Sequence, residues 1–355
     1  MKPTLVTGAN GHIGNNICRL LAARGERVRA MMRLTADPAP LAGLDVEIVH
    51  GDIMDPASTA RAVEGCGRVY HTAAGFLMWS KDPERDIIRP SVDGTRNVLE
   101  AAAKVGVEKV CYTSTSGTIG FSTRPDVALD ETHYHTNAVT PYVQGKIAAE
   151  KEAFAISERT GLVVTAIQPG FVLGPRFWKL SESTHQIAQF VNDGSPVYFE
   201  GGFGVVDVED VARGSLLAME RGRNRERYVL SGENITVKQC FDIVAELAGT
   251  KPPTIKLPVP VLRLIAGGME LASLVTGNRP MLDRTQIDEF AGKYGFFSSD
   301  KANRELGYTF LSARDTLRRT VAWLIDRGFV PEARMKALHP HASLRGAYEN
   351  GRHAA

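Results

Sequence analysis

The sequence lacks several features that define whole classes of protein. Its 355 residues include only 4 cysteines, scattered with no partner at metal-ligand spacing, so a disulfide framework and a cysteine metal site are both excluded. Charge of one sign is lacking too: 42 basic and 40 acidic residues leave a net charge of +2, which gives no reason to expect nucleic acid as a partner. The expected reduced, packed thiols are Cys18, Cys66, Cys111 and Cys240.

Membrane and secretion signals are lacking as well. No uninterrupted apolar stretch reaches the ~20 residues of a membrane-spanning helix, and the chain runs from Met1 directly into a strand, which leaves no room for a signal peptide. His133 and His135, and likewise His339 and His341, do not suggest metal ligands. We therefore expect a soluble, cytoplasmic protein without a bound metal.

Glycine, by contrast, forms a pattern at the start of the chain. An apolar strand, Lys2 to Val6, is followed by Gly8, Gly11 and Gly14, and helical apolar spacing begins directly afterwards. In a dinucleotide-binding element the first glycine permits the tight turn, the second lets the backbone approach the pyrophosphate, and the third permits close helix–strand packing. Amides at the helix N-terminus then face the diphosphate. His12, inside the loop, is expected mainly to pack or cap locally.

A second pattern lies in the run TPYVQGK. Thr140 before Pro141 predicts a helix start with an N-cap hydroxyl. The spacing of Tyr142 and Lys146 then places a phenol and an ammonium on one helical face. A tyrosine with its unperturbed pKa of ~10 is a poor acid at neutral pH, but a nearby ammonium stabilises the phenolate and lowers that pKa. Such a pair suits proton transfer to a carbonyl oxygen.

Strands and helices alternate through the first half of the chain. The predicted strands are 27–32, 46–50, 69–72, 109–114 and 163–168, and the predicted helices are 11–24, 56–64, 83–104 and 141–160. This alternation predicts an α/β fold with a Rossmann-type, doubly wound parallel sheet, which binds ligands at the carboxyl ends of its strands. Val205 to Val208, followed by a helix over 209–219, suggests a return to that sheet.

The predicted organisation has two parts. A dinucleotide-binding domain covers 1–175, and 204–230 returns to it. A smaller, mostly helical substrate lobe covers 176–203 and 231–333. The last segment, 334–355, is basic and bears histidines, which predicts a disordered tail.

Together these residues resemble the extended short-chain dehydrogenases/reductases of the NAD-dependent epimerase/dehydratase family. The particular likeness is to dihydroflavonol 4-reductases, cinnamoyl-CoA reductases and 3β-hydroxysteroid dehydrogenases, and also to bacterial proteins labelled as sugar epimerases. The loop has the family's G-x-x-G-x-x-G spacing, and Tyr142 and Lys146 match its Tyr-x-x-x-Lys motif. Thr115 aligns with its third catalytic position, although Ser114 and Ser116 flank it. Ser91 stands where the family commonly has Asn.

The resemblance implies an NAD(P)-dependent enzyme that moves hydride between a nicotinamide and a substrate carbon. Thr115 would hydrogen-bond the substrate oxygen, Tyr142 would transfer the proton, and Lys146 would hold the nicotinamide ribose and depress the tyrosine pKa. Asp52 would contact the adenine. The candidate cofactor contacts are Gly8, Gly11, His12, Ile13, Gly14, Arg33, Asp52, Ile53, Ala73, Ala74, Lys146, Pro169 and Val172.

Cofactor choice is predicted from the end of the second strand. Selecting NAD commonly requires a carboxylate there to accept the ribose 2′-hydroxyl. This chain has Met31, Met32 and Arg33 instead. Because Arg33 can pair with a 2′-phosphate, we expect NADP(H) to be preferred over NAD(H).

Three functions fit these patterns: a ketone reductase or alcohol dehydrogenase for a hydrophobic substrate, a nucleotide-sugar epimerase or dehydratase, and a cofactor sensor without turnover. Ser116 and Gly117 replace the Asp-Glu pair of related dehydratases. Phe203 stands where nucleotide-sugar relatives carry an arginine that can bind the diphosphate. A sensor has no need of Thr115, Tyr142 and Lys146. The reductase for a flavonoid-, steroid- or lipid-like substrate is therefore favoured.

Apolar residues are also plentiful near the predicted strand ends. Candidate substrate-pocket residues are Phe76, Trp79, Ser116, Phe177 and Trp178. The segment 257–275 is apolar except for a narrow stripe containing Arg263 and Glu270, so it predicts a core helix, a lid or a peripheral membrane contact. Relatives of this kind are monomers or homodimers, and the sequence leaves both open.

Overall fold

The computed structural model of the chain describes residues 2–74, 78–276, 280 and 282–347. The strands in this part are β1 (Thr4–Thr7), β2 (Val28–Met32), β3 (Glu47–His50), β4 (Arg68–His71), β5 (Lys109–Thr113), β6 (Val163–Pro169), β7 (Phe171–Leu173), β8 (Val197–Tyr198), β9 (Gly202–Asp207), β10 (Arg227–Leu230), β11 (Glu233–Thr236), β12 (Ile255–Lys256) and β13 (Tyr294–Gly295). The main sheet is parallel throughout, in the order β3-β2-β1-β4-β5-β6-β10. The order reverses between β1 and β4, the switch point at which such sheets bind ligands.

The helices begin and end at positions that local sequence explains. They are α1 (His12–Ala23), α2 (Pro56–Val63), α3 (Arg89–Lys104), α4 (Pro141–Thr160), α5 (Glu182–Asp193), α6 (Val208–Arg221), α7 (Val237–Ala248), α8 (Val259–Thr276), α9 (Arg284–Phe290), α10 (Asp300–Leu306), α11 (Ala313–Asp326) and α12 (Glu332–Met335). Asp55 caps α2 by accepting from the Ala57 amide, with Pro56 at the first helical position. Gly161, at φ +75°, ends α4 in the left-handed conformation.

Helices cover both faces of the main sheet. Ile17 and Leu21 of α1 pack with Leu216 of α6 on one face, and Leu99 of α3 packs with Ile156 of α4 on the other. Each is at most 1% exposed, and burying such a side chain contributes about 1.5–3 kcal/mol. The predicted Rossmann-type α/β fold is confirmed.

A second sheet follows the first, and it corrects one prediction. The strand placed at Val205 to Val208 does not return to the main sheet: it is β9, which pairs with β7, β11 and β13. The strand that joins the main sheet is β10, which lies beside β6. Helix α6, between them, does pack on the main sheet through Val211 and Leu216. The apolar pattern predicted a buried strand but did not specify its partner.

The second sheet borders a separate apolar core. Ile187 of α5, Val244 of α7 and Leu317 of α11 are fully or almost fully buried there, together with Val205 of β9 and Leu173 of β7. This core is the body of the C-terminal lobe. Helices α8 and α9 form a smaller cluster of their own around Leu262 and Ile287.

The prediction of a disordered tail is wrong for residues 334–347. Leu338, Leu344 and Ala347 are buried against the lobe core, at 4–6% exposure, and Arg318 donates to the Ser343 carbonyl. The Arg334 side chain and the His341 amide add hydrogen bonds to the Val191 and Leu247 carbonyl oxygens, so both apolar and polar contacts hold the segment. Residues 348–355 lie outside the described part.

Helix α8 includes most of the apolar segment 257–275. Among the described residues, no helix combines the length and hydropathy that a membrane crossing requires.

Candidate active site

The glycine loop closes tightly at the end of β1. Gly8 has a φ of +65°, and a Cβ there would lie 2.9 Å from Cα of Ala73. A Cβ on Gly11 or Gly14 would meet the Gly8 carbonyl oxygen. Side chains at these positions would collide with the backbone around the loop, so the tight turn that a diphosphate needs requires glycine here, and the loop fits a dinucleotide.

Helix α1 opens directly onto this cradle. Its N-cap is Gly11, which has no side chain to satisfy the first amides, so they are available to an anion. The side chain of His12 points elsewhere: its Nε2 lies 2.9 Å from the Pro175 carbonyl oxygen, and its ring packs on Phe177. Burial lowers the pKa of His12 to about 4, so the ring is neutral. Within the loop, His12 and Ile13 can thus offer backbone amides, while the His12 ring packs locally.

The carboxyl ends of β1 and β4 are tied together beside the loop. The Ala73 amide donates to the Thr7 hydroxyl at 3.2 Å, and that hydroxyl lies 2.8 Å from Nδ1 of His71. Ala74 follows at the exposed end of this turn. Burial, followed by the nearby Lys146 charge, lowers the pKa of His71 to about 3, so this ring is neutral as well. The sequence analysis missed His71, and its position near the carboxyl end of the predicted strand 69–72 was the available signal.

The structure brings the three predicted catalytic side chains together. The Thr115 hydroxyl lies within reach of the Tyr142 phenol and acts on its pKa as a hydrogen-bonding neighbour. Lys146, one turn along α4, is 4% exposed, and its Nζ donates to the Thr113 carbonyl oxygen at 2.8 Å. The same ammonium lies 5.3 Å from the centroid of the Tyr112 ring. Strand β5 and helix α4 therefore meet at this group.

The electrostatics of the trio differ from the expectation. Burial raises the pKa of Tyr142 to about 12, and the Thr115 hydrogen bond only partly opposes this shift. Burial also lowers the pKa of Lys146 to about 8, while Glu150 acts in the opposite direction. The predicted lowering of the phenol pKa by Lys146 is not seen in the protein alone. In this dry site desolvation dominates the pKa of the phenol, and Thr115 rather than Lys146 opposes it.

A buried acid on α4 was also missed. Glu150 is fully buried and lies 2.9 Å from Nε of Arg227, and it accepts from Tyr134 at 3.0 Å. The side-chain amide of Gln168 donates to the same carboxylate at 3.2 Å. Tyr142, Lys146 and Glu150 follow one another at intervals of four, so helical spacing could have identified it.

The start of α4 lies where it was predicted, but it is held differently. Thr140 is the N-cap residue, yet its side chain makes no capping bond, and its hydroxyl is buried without a partner among the described residues. The backbone amides of Val139 and Thr140 instead each donate to Glu289 of α9, at 2.7 Å. The predicted hydroxyl cap is therefore wrong, and a distant carboxylate takes its place.

The predicted adenine and ribose contacts lie at the ends of β2 and β3. Arg33 is exposed and has no side-chain hydrogen bond or ion pair with the described residues, so it is free to meet a 2′-phosphate. The Asp52 side chain accepts from the Met54 amide at 2.9 Å, which is the turn-forming role expected of an Asp there. Ile53 packs against Gly94 of α3, where a Cβ would clash with it. These three roles in cofactor binding stay predictions.

Two aromatic side chains lie beside Pro169 and Val172. Phe171 of β7 and Phe203 of β9 stack with ring centroids 4.4 Å apart, and both are partly exposed. Gly170, between Pro169 and Phe171, allows this approach, because a Cβ there would lie 2.5 Å from the Gly204 carbonyl oxygen. The stack forms the margin of the lobe core next to the carboxyl end of β6.

The predicted substrate-pocket residues separate into three groups. The prediction that Phe177 lines the substrate pocket is wrong, because this side chain is 1% exposed and packs on Trp323 and Phe329 in the lobe core. Trp178 lies beside it, with the guanidinium groups of Arg19 and Arg327 over its ring, and does not contact the catalytic group. Ser116 is buried next to Thr115, whereas Trp79 is partly buried. Phe76 lies outside the described residues.

No cluster of three or more His, Cys, Asp or Glu side chains suited to a metal ion is found in the part of the chain that the structure describes. The four cysteines are buried and unpaired. His133 lies 3.0 Å from Asp130, and His341 bonds Ser343, so both rings have protein partners.

Comparison with known proteins supports this reading. A model of the NAD dependent epimerase/dehydratase family matches residues 4–231. The chain is 34% identical to sterol demethylase protein B of Methylococcus capsulatus, over 92% of this chain and 99% of that protein. It is 29% identical to cinnamoyl-CoA reductase 1 of Oryza sativa subsp. japonica, over 92% and 91% of the two chains.

Solved structures agree in fold. The crystal structure of gox2253 is 36% identical, with a TM-score of 0.81 over 93% of this chain and all of that one. A nucleoside-diphosphate-sugar epimerase from Pseudomonas aeruginosa is 25% identical, with a TM-score of 0.74 over 93% and 99% of the two chains. The predicted family and the predicted class of NAD(P)-dependent oxidoreductase are confirmed. The chain belongs to the NAD dependent epimerase/dehydratase family, in the extended short-chain dehydrogenase/reductase branch, whose members bind a nicotinamide dinucleotide.

Proposed function

We propose that the protein is an NADP(H)-dependent oxidoreductase that interconverts a ketone and a secondary alcohol on a hydrophobic substrate. The observation that carries this proposal is that Thr115 neighbours the Tyr142 phenol, one helical turn from the buried ammonium of Lys146. A hydroxyl and a phenol held together can bind one carbonyl oxygen between them. Nucleophilic catalysis and metal-ion catalysis would each require a different set of side chains.

Each member of the trio has a distinct role in this proposal. Thr115 holds the substrate oxygen, and Tyr142 donates its proton as that oxygen gains charge, or accepts it in the reverse direction. Lys146 lies one turn away and holds the ribose, with the glycine loop holding the diphosphate. The bound nicotinamide supplies or accepts the hydride. Because the protein alone holds the pKa of Tyr142 at about 12, the phenol stays protonated until charge develops at the substrate oxygen.

The apolar substrate class is proposed from the Phe171–Phe203 stack. Phe203 takes the place of the arginine expected in nucleotide-sugar enzymes, so a diphosphate there would lose a charge-assisted hydrogen bond. Stacked phenyl rings favour a flat or lipid-like substrate instead. The names of the relatives, a sterol demethylase component and a cinnamoyl-CoA reductase, point in the same direction.

The alternative is epimerase or dehydratase chemistry on a nucleotide sugar. Its support is the fold shared with a nucleoside-diphosphate-sugar epimerase. Phe203 and the absence of an Asp-Glu pair after Thr115 in the sequence weigh against it. A cofactor sensor without turnover is disfavoured because Thr115, Tyr142 and Lys146 are assembled together.

The deciding experiment follows the loss of NADPH absorbance with a panel of ketones. The panel contains 3-ketosteroids, dihydroflavonols, β-ketoacyl compounds and 3-keto-sphingoid bases. We expect one class to be reduced, and Tyr142→Phe to lower turnover by about a hundredfold or more while keeping NADPH affinity, because only the proton donor is lost. Full turnover in this variant contradicts the role of Tyr142. If the wild type binds NADPH but oxidises it with none of the ketones, the result favours epimerase or dehydratase chemistry.

The preference for NADP(H) over NAD(H) is a proposal that depends on Arg33. Its side chain is free in the described structure, and a guanidinium can bind a 2′-phosphate in a bidentate manner. We expect NADPH to bind about tenfold or more tightly than NADH, and Arg33→Ala to remove most of that difference. Arg27→Ala, an exposed arginine just before the amino end of the same strand, is the matched control. Tighter binding of NADH by the wild type refutes the proposal.

We also propose a peripheral membrane contact through α8. Leu264 and Leu271 are 78% and 67% exposed, and Val261 and Ile265 lie on the same side of the helix. The charged stripe turns away from them, since Glu270 pairs with Arg284 of α9. If this exposed apolar face binds a membrane surface, a hydrophobic substrate dissolved in the membrane would lie next to the lobe. Monomer and homodimer remain the two oligomeric states compatible with the family.

A further inference from the structure

A carboxylate from the C-terminal lobe lies at the start of the helix that carries Tyr142. Glu289 of α9 is fully buried. One of its oxygens accepts the amides of Val139 and Thr140, each at 2.7 Å, and the other lies 2.5 Å from Nε2 of His135. All three donors come from the segment that leads into α4, about 150 residues earlier in the chain.

This contact replaces the local cap of α4. The Thr140 side chain makes no capping bond, so Glu289 supplies the negative charge that the N-terminus of a helix favours. Burial raises the pKa of the Glu289 carboxyl, but the bonds from His135, Thr140 and Val139 outweigh this and lower it overall. The group is therefore a carboxylate at neutral pH. Tyr142 follows two residues after Thr140.

The same part of α9 also contacts the loop that carries Thr115. Phe290 packs edge-to-face on Phe121 at 5.3 Å, and Phe121 packs in the same way on the His135 ring at 5.7 Å. The His135 amide donates to the Thr118 carbonyl oxygen at 2.9 Å. The turn after Thr115 and the start of α4 are thus both held against one short helix of the lobe.

The outer side of α9 belongs to the lobe. Asp288 pairs with Arg263 of α8 at 2.5 Å, and Ile287 is buried with Leu262 and Ala266 of α8. A displacement of the α8–α9 pair would therefore move the acceptor of the two amides that precede Tyr142.

We propose that Glu289 is a positioning residue for Tyr142, and that it makes the position of the phenol depend on how the α8–α9 part of the lobe is seated. The inference rests on the proposed function, because it concerns the geometry of Tyr142 with Thr115. Glu289 does not touch the substrate in this proposal. It fixes the first turn of α4, and a misplacement of about 1 Å in a catalytic group can cost about a hundredfold in rate.

The test compares three full-length variants: Glu289→Ala, Glu289→Gln and Asp288→Asn. The last is the matched control, since it removes the charge that pairs with Arg263 but keeps an acceptor for it, so α9 stays seated on α8, and it takes no bond from the start of α4. Two quantities are measured for each: the single-turnover rate of hydride transfer under saturating NADPH and substrate, and the hydrogen exchange of the amides over 139–142. Affinity for NADPH and melting temperature are recorded alongside.

We expect Glu289→Ala to slow hydride transfer about ten- to a hundredfold, with NADPH affinity unchanged and exchange over 139–142 accelerated. Glu289→Gln keeps the shape but not the charge, so both quantities should lie between the alanine variant and the wild type. If the alanine variant does not fold, Glu289→Gln alone tests the role of Glu289. Asp288→Asn should match the wild type in both.

A lower melting temperature with an unchanged rate of hydride transfer overturns the proposal, because a purely structural contact would do only that. Wild-type exchange over 139–142 in the glutamine variant, with a wild-type rate, overturns it as well. If the wild type reduces no ketone, the proposed function fails by itself. The exchange measurement, which needs no substrate, then still shows whether Glu289 orders the start of α4.

Discussion

Three neighbouring hydroxyls at the end of β5 have three different environments. Thr115 neighbours the Tyr142 phenol, and its hydroxyl accepts from the Gly117 amide at 3.3 Å. The Ser114 hydroxyl is buried and has no partner among the described residues. Ser116 is buried at the start of the following turn. Of the three, Thr115 is the one that acts on the pKa of the phenol, which favours the alignment that places Thr115 in the catalytic position.

Substitutions along this run should therefore have unequal effects. We expect Thr115→Ala to lower the single-turnover rate by about a hundredfold, because a donor to the developing oxyanion is lost, and Thr115→Ser to restore most of it. Ser114→Ala is the matched control. It removes a buried hydroxyl without removing a hydrogen bond, so rate and stability should change little. A larger loss from Ser114→Ala than from Thr115→Ala would place the catalytic hydroxyl one residue earlier.

At the scale of single elements, α8 is unusual because its apolar side chains face two ways. Leu262 and Ala266 are buried against α9, whereas Leu264 and Leu271 project into solvent. Its charged side chains are used for ion pairs with α9. A helix that needed only to close the lobe would not require the outer apolar face.

The proposed membrane contact can be measured by co-sedimentation with phosphatidylcholine–phosphatidylglycerol vesicles. We expect the wild type to sediment and Leu264→Ser/Leu271→Ser to stay in the supernatant. Burying one leucine contributes about 1.5–3 kcal/mol, so losing two should weaken binding by more than about tenfold. Val105→Ser, at an exposed apolar residue after α3, is the control and should sediment like the wild type. Equal sedimentation of all three proteins contradicts the contact.

At the scale of the whole molecule, two buried neutral histidines join the parts of the cofactor-binding side. His71 ties β4 to β1 through Thr7, and His12 ties the glycine loop to the Pro175 carbonyl at the start of the lobe. Burial keeps the pKa of His71 at about 3 and that of His12 at about 4, against an ordinary value of 6.5. In the folded protein both rings therefore stay neutral at pH values above these, and they gain a proton only when the protein unfolds.

The two buried histidines should each lower the stability of the protein in mild acid. Below pH 6.5 the unfolded chain binds protons at both histidines and the folded chain does not, down to about pH 4 for His12 and about pH 3 for His71. Their contribution to the free energy of unfolding should consequently fall as the pH is lowered, by up to about 1.4 kcal/mol per pH unit for each histidine. The buried Asp207 carboxyl, whose pKa burial raises to about 7, contributes in the opposite direction. Urea unfolding across this range measures the slope.

His71→Gln should reduce this slope, because it removes one of these two histidines, which take up a proton on unfolding. The substitution also lowers the stability at neutral pH. His185→Gln, at an exposed histidine, is the control and should leave the slope unchanged. A slope that is the same in the wild type and in His71→Gln would show that His71 does not contribute.

Much of the fold could be predicted because its signals are local. The glycine spacing, the Thr-Pro start of α4 and the apolar runs specify helix α4 and strands β1 to β6 within a residue or two of where they lie, whereas strand β10 was not predicted. Tyr142 and Lys146 share a helical face because of their spacing, and Arg33 directly follows a strand because the apolar run stops there. The dinucleotide-binding element is likewise a property of one short stretch.

The partners of these elements were decided only by the tertiary structure. Val205 reads as a buried strand residue in either sheet, and Phe177 reads as apolar whether it lines a pocket or fills a core. Glu289 meets the start of α4 from about 150 residues away, and Glu150 meets Arg227 across the sheet. Sequence by itself determined most of the strands and helices in the first half of the chain, and it supplied the prediction of which residues carry the chemistry. The fold decided which buried charges and apolar faces satisfy one another, because that depends on packing between segments distant in the chain.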